Sequence, residues 1–174
     1  MKKTVFKVWL AFICVVLIAG GAALAQTPQK SKNAGQKKGT TGKIVIEFVG
    51  FPDMLKQYAV YPWETLNMPE FQNAYAEMLG TGKHEEWVRS LTGTGDQNRI
   101  LLVSKEFLLL IAICKPHSCD TSQIIVLFNP ASKKCWAIYA QGGKFDWFGS
   151  PDDKIRNLLK ILLAEEYREM YKAQ

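Results

Sequence analysis

The residues best placed to do chemistry are Cys114 and Cys119, which bracket the segment Lys115-Pro116-His117-Ser118. Apolar, strand-like runs lie on either side, so the segment is predicted to form the tip of a hairpin. A disulfide between the two cysteines would close a ring and fix the shape of the loop, and Pro116 removes a further backbone freedom. A rigid, protruding loop loses little entropy when it docks, so the pattern is typical of a binding or inhibitory loop.

Three other interpretations of this loop remain open on the residues alone. A redox site favours Cys-x-x-Cys at a helix start, whereas this spacing is Cys-x4-Cys between strands. A zinc site would use Cys114, His117 and Cys119, but three ligands so close in sequence do not easily form a tetrahedron, and no fourth is nearby. We therefore expect no metal and no cofactor. The third interpretation is a disulfide that only stabilises the hairpin, with a histidine that has no function. Composition alone does not distinguish this interpretation from a functional loop.

The N-terminus predicts export. The chain begins with a positively charged segment that contains Lys2, Lys3 and Lys7. An apolar stretch follows and ends in Ala23-Leu24-Ala25, a pattern typical of a signal peptidase site. The stretch is just long enough to span a membrane, but the cleavage pattern favours a signal peptide over residues 1–25. We therefore predict a periplasmic protein with no stable membrane insertion after cleavage.

The charge of the chain is unevenly distributed. The chain carries 22 Lys and Arg against 16 Asp and Glu, yet residues 43–174 hold 15 positive and 16 negative groups, a net charge of −1. The excess of basic residues thus belongs to the leader and to residues 26–42, a polar Lys-rich stretch predicted to be a disordered linker. Residues 43–174 are predicted to form a single domain, for which charge gives no reason to propose a nucleic-acid partner.

Strand-like and helical patterns alternate in blocks along this domain. A strand is predicted at Lys43–Gly50, and a helix from Pro69 to a stop at Gly80, with Asn67 and Glu70 as its capping box. Five further strand-like runs follow with connections too short for crossover helices, which requires antiparallel pairing. These runs cover residues 99–104, 107–114, 122–128, 135–140 and 144–148.

The longest predicted helix ends the chain, with Ser150 as its N-cap and Pro151 as its first residue. Together the elements predict an α+β fold: a central antiparallel β-sheet of about five strands, helices packed on one side, and a disulfide-closed protruding loop. The runs at 107–113 and 124–128 are apolar on both faces, so both faces of the sheet must be buried. Helices would cover one face, and a partner subunit is one candidate for the other.

The segment Cys114-Lys115-Pro116-His117-Ser118-Cys119 closely resembles the signature loop of the inhibitor of vertebrate lysozyme (Ivy) family, whose usual form is Cys-Lys-Pro-His-Asp-Cys. Phe71 to Trp87 is similar to the first helix of that family and its Trp segment, and the resemblance covers about residues 65–165. It implies a periplasmic homodimer with helices on one side of an antiparallel sheet. It also implies that the loop enters the cleft of a c-type lysozyme, where His117 meets the two catalytic carboxylates and Lys115 and Pro116 add rim contacts.

One loop position departs from the family pattern, because Ser118 stands where Asp is usual and a carboxylate that could orient Lys115 or His117 is missing. The resulting hypothesis is a non-enzymatic inhibitor of c-type lysozyme that protects the cell wall and so evades host defence. The alternative is a same-fold module that binds another wall component, through Trp63, Trp87 or Trp147, or that restrains the cell's own wall-cleaving enzymes. No carboxylate pair or activated nucleophile indicates an enzyme.

Two further residues have open roles. Cys135 is the odd cysteine of the exported part, and it is expected either to be a small buried apolar residue or to bridge two subunits. His84 lies beside Glu85 and Glu86 and is predicted to be a solvated residue at a helix start.

Overall fold

The computed structural model describes residues 44–168, which fold around one six-stranded sheet. Its strands are antiparallel and lie in chain order, so the sheet is a meander. The strands are β1 (Ile46–Val49), β2 (Arg99–Val103), β3 (Glu106–Cys114), β4 (Ser122–Asn129), β5 (Lys134–Gln141) and β6 (Lys144–Phe148). The helices are α1 (Pro62–Thr65), α2 (Pro69–Leu79), α3 (Glu86–Arg89) and α4 (Asp153–Glu166), with a 3-10 helix over Asp53–Tyr58.

The α+β class and the antiparallel pairing are confirmed, but the sheet has six strands rather than about five. The sixth strand is β1, which lies within the strand predicted at Lys43–Gly50 and pairs with β2 from Ile46↔Val103 to Val49↔Ile100. All the helices before β2 lie between these two strands in sequence. The β-branched run therefore reveals a strand but not its place at the edge of the sheet.

Helices cover both faces of the sheet, which corrects the prediction that they pack on one side. The first face packs against the 3-10 helix, α2 and α3, and α4 covers the second face. The side chains that cover the first face include Tyr58, Phe71, Tyr75 and Trp87, and those on α4 are Leu158, Leu159, Leu162 and Leu163. The doubly apolar β3 and β4 thus obtain their second cover from α4 and do not need a partner subunit for it.

The helix ends differ from the predicted caps. Helix α2 does stop at Gly80, which has φ = +65°, but its N-cap is Met68 and Asn67 makes no cap. Helix α4 begins after Asp152, whose carboxylate accepts a hydrogen bond from the Ile155 N–H at 2.8 Å. Ser150 cannot be that cap because its φ of +52° lies in the left-handed region, whereas an N-cap residue has extended backbone.

Several sequence predictions fall outside the described residues: the signal peptide at 1–25, the linker at 26–42, and the C-terminal residues from 169 onwards. Within residues 44–168, no helix is both long enough and apolar enough to cross a membrane.

Candidate functional site

The β3–β4 hairpin carries the predicted loop at one end of the sheet. Strand β3 ends at Cys114, which lies opposite Gln123 of β4, and the chain between them forms two consecutive turns. Cys114 and Cys119 form the predicted disulfide, with their Cα atoms 4.8 Å apart. The structure therefore confirms both the hairpin and the covalent ring.

Main-chain hydrogen bonds fix the loop in addition to the disulfide. The Lys115 N–H donates to the Ser122 carbonyl at 2.9 Å and closes the base of the loop. The Ser118 N–H donates to the Lys115 carbonyl at 2.9 Å, which closes a turn with Pro116 and His117 at its two central positions. The Ser118 carbonyl in turn accepts from the N–H groups of Thr121 at 3.2 Å and Ser122 at 2.9 Å. The loop is therefore ordered by its own backbone before any partner binds.

His117 is exposed at the tip and has φ = +63°. Proline followed by a residue of positive φ is the arrangement of a type II turn, in which glycine usually occupies the second central position. A side chain in this region costs on the order of 1 kcal/mol relative to glycine, although histidine tolerates it better than most residues. The turn therefore carries an imidazole at its apex, where the backbone alone would favour glycine.

Glu85 holds the base of the loop from a segment distant in sequence. Its carboxylate lies 2.6 Å from the Lys115 ammonium, and both side chains are a little over a third exposed. The Tyr139 hydroxyl and the Gln141 amide of β5 donate to the other carboxylate oxygen, at 3.0 and 3.3 Å. Sequence reasoning missed this residue, because nothing local to Glu85 indicates that its partner lies in the loop.

The charges at this cluster shift two pKa values. The hydrogen bond from Lys115 is the main cause that lowers the pKa of Glu85, and the hydrogen bond from Tyr139 adds to it. Burial, and then the neighbouring Glu85 carboxylate, raise the pKa of Tyr139 to about 12. Glu85 is thus held as an anion at neutral pH, and Tyr139 stays protonated and able to donate.

Two neighbouring segments support the flanks of the loop. Thr94 and Cys114 exchange two main-chain hydrogen bonds, each of 2.9 Å. A Cβ atom on Gly93 would lie 2.6 Å from the Cys114 carbonyl oxygen, so only glycine permits this approach. On the other flank the Gly142 N–H donates to the Thr121 carbonyl at 2.8 Å. The loop therefore projects from a supported base.

The disulfide argues against the zinc interpretation of the loop. Because Cys114 and Cys119 are bonded to each other, neither is available as a thiolate ligand for zinc. Between residues 44 and 168, no group of three or more His, Cys, Asp or Glu side chains is arranged to hold a metal ion. The loop can instead act as a rigid polar projection that carries an imidazole and an ammonium group.

The remaining sequence candidates lie elsewhere. Trp87 is buried, and Trp147 is half-buried with the cationic groups of Arg156 and Lys160 over its ring. Trp63 is exposed and stacks on Tyr61, with ring centroids 4.8 Å apart. Of the three tryptophans proposed as a binding surface, only Trp63 is therefore exposed, at 42%.

The two residues with open roles are both packed into the fold. His84 is half-buried: its Nε2–H donates to the Leu79 carbonyl at 2.9 Å and its ring packs edge-on against Phe148, which corrects the prediction of a solvated position. Cys135 is 5% exposed, and burial raises the pKa of its thiol. The expectation that Cys135 is a small buried apolar residue is confirmed.

The chain was compared with known protein families and with individually curated proteins. No individually curated protein matches the chain. The sequence model of one family, described as "Inhibitor of vertebrate lysozyme (Ivy)", matches residues 70–173, more than half of the chain, and this range includes the disulfide-closed loop, Glu85 and Tyr139. The chain therefore belongs to the Ivy family.

Proposed function

We propose that this protein inhibits a c-type lysozyme by inserting the Cys114–Cys119 loop into the active-site cleft, where His117 contacts the two catalytic carboxylates. The observation that carries the proposal is the exposed His117 side chain at the apex of a loop fixed by a disulfide and by main-chain hydrogen bonds. Membership of the Ivy family supports lysozyme as the target.

The chemistry of the apex fits a pair of carboxylates. A protonated imidazole has two N–H donors, so it can bond to both carboxylates at once, and the opposite charges strengthen those bonds. A glycosidase of this kind needs one carboxylic acid free to protonate the glycosidic oxygen. A histidine bonded to that acid, in a cleft filled by the loop, would prevent both protonation and substrate binding. In this proposal the protein inhibits by blocking the cleft and does not itself catalyse a reaction.

The pre-formed loop gives the proposal its energetic basis. Association costs free energy for each group that must be ordered, so a loop already held in one shape retains more of its contact energy as affinity. The exposed edge of Pro116 and the ammonium of Lys115 would contact the rim of the cleft. In this proposal the protein acts in the periplasm after removal of residues 1–25, as a homodimer, and protects the cell wall from lysozyme of a host.

The test is the lysis of a peptidoglycan suspension by a c-type lysozyme, with increasing amounts of the purified protein. We expect saturating inhibition by the wild type and a loss of at least about tenfold in affinity for His117→Ala, since a charged hydrogen bond is worth roughly 1.5–3 kcal/mol. His117→Asn is the matched variant, because Asn tolerates positive φ and so keeps the turn while removing the imidazole. Equal inhibition by all three proteins would refute the role of His117.

Absence of inhibition by the folded, disulfide-bonded wild type would instead refute lysozyme as the target. The alternative partners are then another wall component or a wall-cleaving enzyme of the cell itself. The exposed Tyr61–Trp63 stack is the surface to test for a wall glycan, because aromatic faces pack against sugar rings. Binding to isolated peptidoglycan that is lost in Trp63→Ala would support that alternative.

A further inference from the structure

The Lys115 ammonium has an ion-pair partner, even though the loop lacks the usual family carboxylate at Ser118. The partner is Glu85, the residue immediately before α3, whose carboxylate lies 2.6 Å from the Lys115 nitrogen. Lys115 is also the residue whose N–H closes the base of the loop and whose carbonyl closes its first turn. A side chain that holds Lys115 in place therefore restrains the residue on which both of these main-chain hydrogen bonds depend.

The Glu85 carboxylate is itself held in place. Its second oxygen accepts hydrogen bonds from the Tyr139 hydroxyl and the Gln141 amide, both near the end of β5, the strand next to the β6 edge of the sheet. Glu85 is therefore anchored to the sheet by two hydrogen bonds that do not involve the loop. A rigid anchor can orient a flexible lysine, whereas two flexible side chains would pair without fixing either one.

We propose that Glu85 is a positioning residue for the inhibitory loop: anchored by Tyr139 and Gln141, it holds Lys115 and thereby the orientation of the loop relative to the sheet. The proposal rests on the proposed function for its effect on inhibition. In this proposal Glu85, from a different segment of the chain, orients Lys115. The aspartate that the family usually has at the position of Ser118 could have done the same.

A second ion pair of the same residue types supplies a contrast. Lys133 and Glu70 approach to 3.2 Å at the opposite end of the sheet, where both side chains are more than half exposed. This pair is the matched control, because Glu70→Gln makes the same change of one charge as Glu85→Gln without touching the loop. Any effect of net charge on the association rate with lysozyme is therefore shared by the two variants.

The experiment measures association and dissociation rates with a c-type lysozyme for protein produced from the full chain. We expect Glu85→Gln to raise the dissociation rate about three- to fivefold, the range for a partly exposed ion pair, with an association rate equal to that of Glu70→Gln. Glutamine keeps the size of the side chain, so the midpoint of thermal unfolding serves as the check that both variants fold. A dissociation rate equal to that of Glu70→Gln would overturn the proposal.

A double-mutant cycle tests whether Glu85 acts through Lys115. If it does, Glu85→Gln has no further effect on the dissociation rate in a Lys115→Met background, because the group it positions is absent. An undiminished effect in that background would overturn the positioning role and indicate that Glu85 contacts the enzyme directly.

Amide hydrogen exchange separates failure of this inference from failure of the proposed function, since it requires no lysozyme. We expect Glu85→Gln to speed exchange of the Lys115 and Ser118 amides two- to fivefold, with amides in the centre of β4 unchanged, because only the loop opens more often. Unchanged exchange at Lys115 and Ser118 would overturn the positioning role even if the wild type inhibits. Faster exchange without any inhibition by the wild type would uphold the positioning role and refute lysozyme as the target.

Discussion

Opening the disulfide ring is the perturbation that most directly tests whether loop rigidity contributes to binding. The double variant Cys114→Ala/Cys119→Ala removes the cross-link but keeps a small apolar side chain at Cys114, which is buried in the α4-side core. The main-chain hydrogen bonds of the loop and the Lys115–Glu85 ion pair remain possible in the variant. The loop should therefore loosen without losing its fold.

The size of the effect follows from the length of the ring. The bridge joins residues five apart in sequence, so the closed loop contains six residues. The loop-entropy relation assigns a ring of this length about 2 kcal/mol at 25 °C, which is the expected loss in the free energy of unfolding. The same figure is an upper limit on the cost of re-ordering the loop when it binds, because the hydrogen bonds still restrict it. The dissociation constant should therefore rise by between about three- and thirtyfold.

The assay combines denaturant unfolding with titration of lysozyme inhibition. Cys135→Ala is the matched control, because it removes a buried sulfur of the same type outside the ring. Its small cavity should lower the free energy of unfolding by about 1 kcal/mol and leave the inhibition constant unchanged. An inhibition constant of the double variant equal to that of the wild type, with the expected loss of stability, would refute the argument that a rigid loop gains affinity. A loss beyond about a thousandfold in a folded variant would also refute it, because ring entropy cannot supply so much.

Four further predictions concern stability and the loop. Asp152→Ala should lower the free energy of unfolding by about 1 kcal/mol through loss of the α4 cap, whereas Ser150→Ala should leave it unchanged in the same denaturant titration. Leu159→Ala should cost about 3 kcal/mol by opening a cavity beneath α4, measured in the same way. The folded-state pKa of Tyr139 is raised to about 12, so its contribution to stability is full below pH 10 and is lost as the pH rises through 12. Tyr139→Phe should therefore reduce the loss of stability between pH 10 and 12 in unfolding curves recorded against pH. Ser118→Asp should change the inhibition constant less than about threefold, because Glu85 already pairs with Lys115.

The sequence predicts the loop well because the loop is local. Cys114 and Cys119 are close in sequence, the flanking runs are strongly β-forming, and Pro116 is compatible with the turn that forms. The residues alone therefore predict the ring, the hairpin and the exposed His117. They do not predict the positive φ of His117, since proline followed by histidine fits more than one turn type.

The sequence predicts contacts across the fold less well. Glu85 lies thirty residues before Lys115, and only the pairing of β4 with β5 brings Tyr139 and Gln141 to the same carboxylate. Likewise the apolar stripe of α4 shows that the helix packs on something, but periodicity does not say which face of the sheet it covers. The N-caps fail for a related reason. The left-handed turn at Gly149 and Ser150 delays the start of α4, and no local preference for serine reveals that.

Because α4 covers the second face of the sheet, stability and inhibition depend largely on different residues in this molecule. Because the helices of the chain itself bury both faces of the sheet, the core does not depend on a second subunit. The loop contributes little to that core, since its apex is exposed and its contacts are mostly its own backbone hydrogen bonds, the disulfide and the Glu85 pair. A substitution at the apex should therefore change affinity with little effect on unfolding, and a substitution under α4 should do the reverse. Stability and affinity meet at the base of the loop, because Cys114 lies in the buried core and Glu85 connects Lys115 of the loop to β5.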